Sequence, residues 1–589
     1  MFFCLSMKNF WRTAQTPVHI PLLDSLQDIF DSLGRGSHAL FIFFAILLCI
    51  SSTALLYTLK QSLAVEVPAY GGNLSEGIIG SPRFINPVLA ISDADRDLTA
   101  LVYSGLLRAT PKGGYEPDLA MGYSVSDDGK TYTFTLRERI FFHDGTPVTS
   151  ADVAYTVQKA QDPALKSPLR ANWDGVRVET PDNKTVRFIL RAAYAPFIEN
   201  LTLGILPKAR WSSISDEEFP FSELNVEPVG SGPYAVESVS RTSSGIPSTY
   251  LLRSFNDYAL GEPYLGSLTI HFYQSEGALV VALGNGEIDS ASGLSPGNLG
   301  SLPPENIRTS PLNRVFGVFL NQNQSVVLRD KAVRSALNDS INRQEMVAQV
   351  LGGYGTPLTG PVPKTLGDGI PFAKASGKEL AAAARQSLIT KGWKPRADGI
   401  LQKTTGTGAK AVTVTLEFDL ATANVPELRA AAEYLRAAWL LVGASVNVKI
   451  FEQGDLSQNI IRPRKYDALF FGEVIGRELD LFAFWHSSQR NDPGLNIAGY
   501  ANSTADKALE AMRATVDQKK RSQLLSAFIG EFNKDVPAIF LYAPDFVYSV
   551  PNDIAGVDLG FIETPDDRFL SLPSWHKETD EVWPLFVKN

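Results

Sequence analysis

Cysteine is nearly absent from this chain: 589 residues carry two, Cys4 and Cys49. Both lie in or before an apolar run at 39–59, so no intrachain disulfide can staple the remainder and no thiolate metal site can form there. Histidine is scarce too. His19, His38, His143, His271, His486 and His576 show no ligand spacing such as H-E-x-x-H, so no metal and no cofactor is expected. A basic excess is missing: the formal net charge is −9, which argues against a nucleic-acid partner. Internal repeats and acidic or basic low-complexity tracts are also missing. So is a convincing nucleophile. Gly293-Leu294-Ser295-Pro296-Gly297 fits G-x-S-x-G, but in that elbow the residue after Ser donates its backbone N–H to the oxyanion, and Pro296 has none. The Gly230/Gly232 pair is no phosphate cradle, because no helix start follows to aim amides at an anion. With no triad, metal cluster or nucleotide loop, an enzyme is not expected.

What is present is an ordinary globular composition, 44% hydrophobic and 20% charged, in a chain too long for one compact core. Two or more lobes are expected. Residues 39–59 carry no charge over about 21 positions, enough to cross roughly 30 Å of hydrocarbon as a helix. A signal-peptide core is the alternative, with Ser62-Leu63-Ala64 as a cleavage site. Against it, the run is longer than the usual h-region and some 38 residues precede it. Lys8, Arg12 and Arg35 come before the span and only Lys60 follows closely, which puts the N-terminus inside and the remainder outside the cell. Residues 1–38 then form a cytoplasmic segment, with a short amphipathic helix at 21–33, and 60–72 a tether.

The stretch 123–157 reads as a folded unit by itself. Thr131-Tyr132-Thr133-Phe134-Thr135-Leu136 alternates and is rich in β-branched and aromatic types, as a half-buried strand requires. Asp127-Asp128-Gly129-Lys130 before it is a turn. Ile140-Phe141-Phe142 reads as a second short strand, and Asp144-Gly145 as a second turn. Thr149 stands three residues before Asp152, the spacing of a capping box at the head of a helix. Further on, 412–418, 426–442 and 445–451 read as strand, helix and strand, a βαβ unit with parallel strands and a right-handed crossover.

Several of these runs resemble the family-5 extracellular solute-binding proteins, the peptide- and nickel-binding receptors of ABC importers. The resemblance rests on Ser126 to Gly129, on Tyr132-Thr133-Phe134-Thr135-Leu136-Arg137, on Phe142-His143-Asp144-Gly145-Thr146-Pro147 and on Asp152-Val153. A second block, Gly230-Ser231-Gly232-Pro233-Tyr234, matches the family's Gly-x-Gly-Pro-Tyr turn, and weaker matches such as Tyr103-Ser104-Gly105-Leu106-Leu107 extend the likeness over about 70–575.

The resemblance implies a two-lobed α/β fold of the periplasmic-binding-protein type, with an extra α+β subdomain and one N-terminal transmembrane helix ahead of it. Lobe 1 is expected at 73–310 with the subdomain inserted at about 108–205, lobe 2 at 311–540, and a C-terminal return to lobe 1 at 541–589. It further implies an extracytoplasmic protein that captures a short peptide in a cleft and delivers it to ABC permease subunits; with the apolar run at 39–59 as its anchor, a membrane-anchored monomer is expected. Phe84, Asn86, Asn321, Gly472, Glu473, Trp485, His486, Asn496 and Tyr500 are the expected ligand-binding residues. One departure bears on the ligand. Peptide-binding members carry an Asp that pairs with the ligand's α-ammonium, and that place falls on Ile475 here, leaving Glu473 and Glu478 as the nearby acids. A receptor for a sugar, nickel complex or opine, or a tethered sensor or scaffold, would use the same fold.

Overall fold

The computed structural model describes residues 34–363, 375–407 and 410–584; the amphipathic helix expected at 21–33 lies outside them. The chain divides into two compact units, with residues 70–578 making up the larger.

In the smaller unit, Arg35–Leu63 is one continuous helix. Its segment Gly36–Thr58 has a mean hydropathy of 2.6 and none of it is buried. The polar groups within it are satisfied locally. Ser51 donates its hydroxyl to the Leu48 carbonyl, Thr53 to Cys49 and Thr58 to Ala54, which is what a hydrocarbon surrounding demands of a hydroxyl. The helix runs past the expected end of the span. Within the stretch expected to be a tether, Val65–Pro68 forms a strand paired antiparallel with Thr579–Val582. Those last residues therefore belong to this small unit rather than to a return into lobe 1.

The larger unit is organised around one strand, Ala538–Ser549. Its first half pairs antiparallel with Arg314–Leu320 and its second half with Ile307–Pro311. On one side the sheet continues through Ala468–Val474, Glu417–Ala423 and Ser445–Phe451. On the other it continues through Ser290–Ser292, Asn73–Ile79, Ser267–Tyr273, Pro247–Ser254 and Tyr234–Arg241. Two large apolar cores sit on the two halves. One gathers Val315, Leu337, Trp439 and Phe470; the other gathers Leu98, Phe134, Trp211 and Trp575. The architecture is thus two-lobed and mixed α/β. The chain crosses between the lobes at 311–314 and again along 542–546, where the Leu312 amide donates to the Pro544 carbonyl.

Local chemistry accounts for the elements that matter below. The helix Pro426–Val442 starts on a proline, which needs no partner for its missing N–H, and ends where Gly443 takes φ 100°. It buries Leu428, Leu435 and Trp439, and Trp439 donates its indole N–H to the Leu337 carbonyl at 3.1 Å. Burial of this order is worth roughly 1.5–3 kcal/mol per large side chain. Glu417–Ala423 and Ser445–Phe451 flank the helix and pair in parallel, giving the βαβ unit that the periodicity predicts. In the subdomain, Thr131–Leu136 lies between Ala120–Val125 and Thr185–Ile189 in a four-stranded antiparallel sheet. The capping box forms: Asp152 accepts from the Thr149 amide at 2.9 Å and from its hydroxyl at 2.7 Å. Residues 140–142 do not become a strand. Phe142 instead closes a tight turn with Thr146, leaving a single bridge between Phe141 and Pro147. The Ser295 loop is likewise a turn, its hydroxyl and amide both spent on Glu276.

Candidate functional site

The Gly230-Ser231-Gly232-Pro233-Tyr234 turn, His143 and the end of the helix before Tyr103 meet at one place. Gly232 donates its amide to the Val102 carbonyl at 2.8 Å, at the end of the helix Asp93–Val102. A Cβ on Gly230 or Gly232 would collide with the Val102 backbone, so only glycine permits this approach. His143 clamps the same turn. Its Nδ1 accepts from the Gly230 amide at 3.3 Å, and its Nε2 faces the Gly232 carbonyl at 3.1 Å, an arrangement that calls for the neutral tautomer with the proton on Nε2. Burial pushes the imidazole down to about 4, in keeping with that neutral form. Subdomain and lobe 1 are thereby locked together, and the residues that follow Val102 are aimed inward.

They open onto a chamber of about 970 Å³, at the upper end of the size expected for a small-molecule site. Lobe 1 supplies Thr99 and Tyr103, the subdomain Asp118, Tyr194 and Glu199, and the 563–573 segment several carboxylates. Lobe 2 contributes Arg477 and Arg513. Many of the wall's polar atoms have no partner: the hydroxyls of Thr99, Tyr103 and Tyr115 and Oδ1 of Asp118 make no hydrogen bond. Tyr103 is 5% exposed and Asp118 3%. Burial pushes the Asp118 carboxyl up to about 7, with the Ser104 hydroxyl and the Arg108 and Arg137 charges opposing the rise. Buried polar groups without partners are uncommon and costly, and these four stand on one concave surface.

Two arginines from lobe 2 close the chamber. Arg477 reaches into lobe 1, where its guanidinium lies 2.7 Å from Asp567, donates to the carbonyls of Thr110 (3.2 Å) and Phe561 (3.0 Å), and stacks on the Phe561 ring. Arg513 is held bidentate by Asp480, and Asp480 also accepts from the Tyr194 hydroxyl at 2.9 Å. The Ala195 amide donates to the Arg513 carbonyl. The lobes are therefore in contact across the mouth of the chamber.

The family model for bacterial extracellular solute-binding proteins, family 5 (middle), matches residues 114–493. The chain belongs to this family. It is 27% identical over 505 residues to the oligopeptide-binding protein AppA of Bacillus subtilis, covering 83% of this chain and 89% of that one. It is 30% identical over 459 residues to protein XP55 of Streptomyces lividans, covering 76% and 79%. Among solved structures, the substrate-binding protein CtaP of Listeria monocytogenes superposes with a TM-score of 0.71 at 26% identity, over 86% of this chain and all of that one. AppA of B. subtilis, solved with a nonapeptide, superposes at 0.62 and 25% identity, over 87% and 99%. AppA and CtaP are named as binding proteins, and this family-5 chain is a solute-binding receptor of the two-lobed periplasmic-binding-protein type.

None of the nine residues expected from the resemblance to bind ligand lines the chamber. Asn86 donates to Asn225 and accepts from the Val88 amide. Phe84 carries the Arg83 guanidinium over its ring. Asn321 donates to the Arg464 carbonyl and accepts from the Asn323 amide. Gly472 packs under the Phe316 ring, which a Cβ would meet at 2.7 Å. Trp485 is fully buried and packs against Phe319 and Phe532. His486 stacks on Phe482 and its Nδ1 meets the Ser488 hydroxyl. Asn496 staples the carbonyls of His486 and Tyr500, and Tyr500 donates to Asp535. Glu473 lies 5% exposed in lobe 2 without a hydrogen-bond partner, and burial holds its carboxyl well above the usual range. Ile475, at the place of the family's ammonium partner, is 1% exposed. The residues that do line the chamber stand inside matched runs, Tyr103 in Tyr103-Ser104-Gly105-Leu106-Leu107 and Asp118 beside Leu119-Ala120. Tyr103 follows directly on the helix Asp93–Val102, and Asp118 stands between two strands. Arg477 and Glu563 carried no signal in the sequence.

Proposed function

We propose that the protein captures a short peptide in this chamber, closes its lobes on it and delivers it to an ABC permease. The observation that carries the reading is a chamber in lobe 1 and its subdomain, lined by unpartnered hydroxyls and carboxylates and reached by two arginines from the opposite lobe. A peptide supplies amides and carbonyls to such a wall, and its side chains need only room. The sequence relatives named for oligopeptides support the same reading. Lobe closure works as a hinge at the two crossovers. The helix over Gly36–Thr58 holds the binding unit at the cell membrane, with that unit outside, in line with its hydropathy and with the basic residues that precede it.

A second reading, a non-peptide solute, is favoured by Ile475, which leaves the family's ammonium position apolar. Tandem mass spectrometry of whatever solute leaves the full-length protein on denaturation separates the two. Amino-acid residue mass ladders are expected; a solute that yields none overturns the peptide reading. Alkaline carbonate washing should leave the full-length chain in the membrane pellet, and a soluble product starting near Val65 would overturn the anchor.

A further inference from the structure

Three carboxylates at the chamber wall share one guanidinium. Arg477 lies 2.7 Å from Asp567 and 3.8 Å from Glu563. Asp567 is fully engaged, because it also accepts the amides of Glu563 and Thr564. Glu563 accepts only the Arg477 amide, at 3.3 Å. The Glu199 carboxylate makes no hydrogen bond and no ion pair among the described residues; both its oxygens lie against Gly476 of the lobe 2 segment, 3.2 Å from where a Cβ would stand. The neighbouring acids offer no relief, since Glu478 is committed to Arg521 and Asp480 to Arg513. The Tyr115 hydroxyl beside them is unpartnered. Burial pushes Glu199 and Glu563 upward, and the charges of nearby carboxylates add to it, the behaviour of carboxylates short of positive charge. On the same wall Asp118, nine-tenths buried, keeps an oxygen without a partner.

We propose that a cationic group of the solute seats between Glu199 and Glu563, beside Arg477, so that the chamber selects solutes carrying a basic side chain. The inference rests on the chamber being the solute site and adds the charge of what enters it. A guanidinium or ammonium there takes the place of the protons that three crowded carboxylates beside a single guanidinium otherwise hold. It also couples recognition to closure, because Arg477 and Gly476 arrive from lobe 2 while Glu199 and Glu563 belong to lobe 1 and its subdomain.

The test is a competition read by native mass spectrometry on the full-length chain in mild detergent. The probes are Ala-Lys-Ala, Ala-Gln-Ala and Ala-Glu-Ala at equal concentration, with spermidine and Mg²⁺ as separate arms. Wild type should retain the lysine peptide at least about tenfold over the glutamine peptide, as a desolvated charge pair warrants. Glu199→Gln and Glu563→Gln are near-isosteric and relieve repulsion, so both should fold, and each should bring that ratio to within about twofold. Equal retention of the three peptides by wild type overturns the inference while leaving the peptide reading intact. So does a lysine preference that survives in both variants, or a site filled by Mg²⁺ alone. Spermidine retained with no peptide bound supports the cation seat and overturns the peptide reading. Retention of none of the probes overturns both.

Discussion

Arg568 and Arg477 are two buried guanidiniums that serve the same C-terminal segment in opposite ways. Arg568 is fully buried and pairs with Glu76 at 2.6 Å and with Asp97 at 2.7 Å. Glu76 also accepts from the hydroxyls of Tyr548 and Ser290. Every charge there has a partner, and the network ties the strand Asn73–Ile79, the helix Asp93–Val102 and the segment Pro565–Ser574 into one core. Arg477 meets that segment from the other lobe and leaves Glu199 with nothing to bind. A closed, satisfied network is a structural device. An open one at the edge of a chamber is a place prepared for something else, held there at a cost in stability that a binding site can justify.

The comparison can be broken by removing each cation. Arg568→Met leaves two carboxylates buried and unpaired, and urea denaturation should show a loss of about 3–5 kcal/mol. Arg477→Met should lose less than half as much, because Glu563 and Glu199 face the chamber and can be hydrated there. Equal losses would erase the distinction between the two centres.

The next effect has the opposite sign. Asp118 has its folded pKa raised from 3.8 to about 7. Its contribution is therefore most favourable below pH 3.8 and is lost as pH rises toward 7. Above pH 7 the carboxyl is a liability on the order of 3 kcal/mol, so Asp118→Asn should stabilise the protein at pH 8 and leave it unchanged near pH 3. A variant less stable at pH 8 would mean that the Asp118 charge is satisfied after all.

His143 sharpens the contrast from the satisfied side. Its pKa falls from 6.5 to about 4, so the stability it contributes is fully present above pH 6.5 and is lost as pH drops toward 4. The loss should be on the order of 2–3 kcal/mol, and His143→Gln should flatten that part of the pH profile. The smallest effect expected is that of Tyr194→Phe. It removes one hydrogen bond to Asp480, which keeps Arg513, and should cost about 1 kcal/mol in thermal unfolding.

Most of the fold was legible because its local rules are strong. The alternation over Thr131–Leu136, the Thr149/Asp152 box and the βαβ run each point to one structure, and each forms. The long strand Ala538–Ser549 continues through Pro544, which sits between the lobes, where its carbonyl accepts from Leu312 and no amide is needed. The transition at 140–142 was misread: three apolar residues look like a strand, but the Asp144-Gly145 turn closes too soon for one. The chamber itself was hardly legible. Its wall comes from residues near 100, 118, 199, 477 and 565, and no periodicity links positions so far apart. Aromatic and amide residues such as Trp485 and Asn496 look like binding chemistry in sequence. In the fold Asn496 spends its amide on the carbonyls of His486 and Tyr500, and Trp485 packs among aromatic rings.

The central claim is that the solute occupies the chamber. Ala100 lines it from the helix Asp93–Val102, and Ala100→Trp places an indole in the space the solute needs. Native mass spectrometry of the full-length protein, wild type beside Ala100→Trp, tests this most directly. A solute bound to wild type and absent from the variant, at unchanged melting temperature, is the predicted result; the same solute retained by the variant would contradict the account.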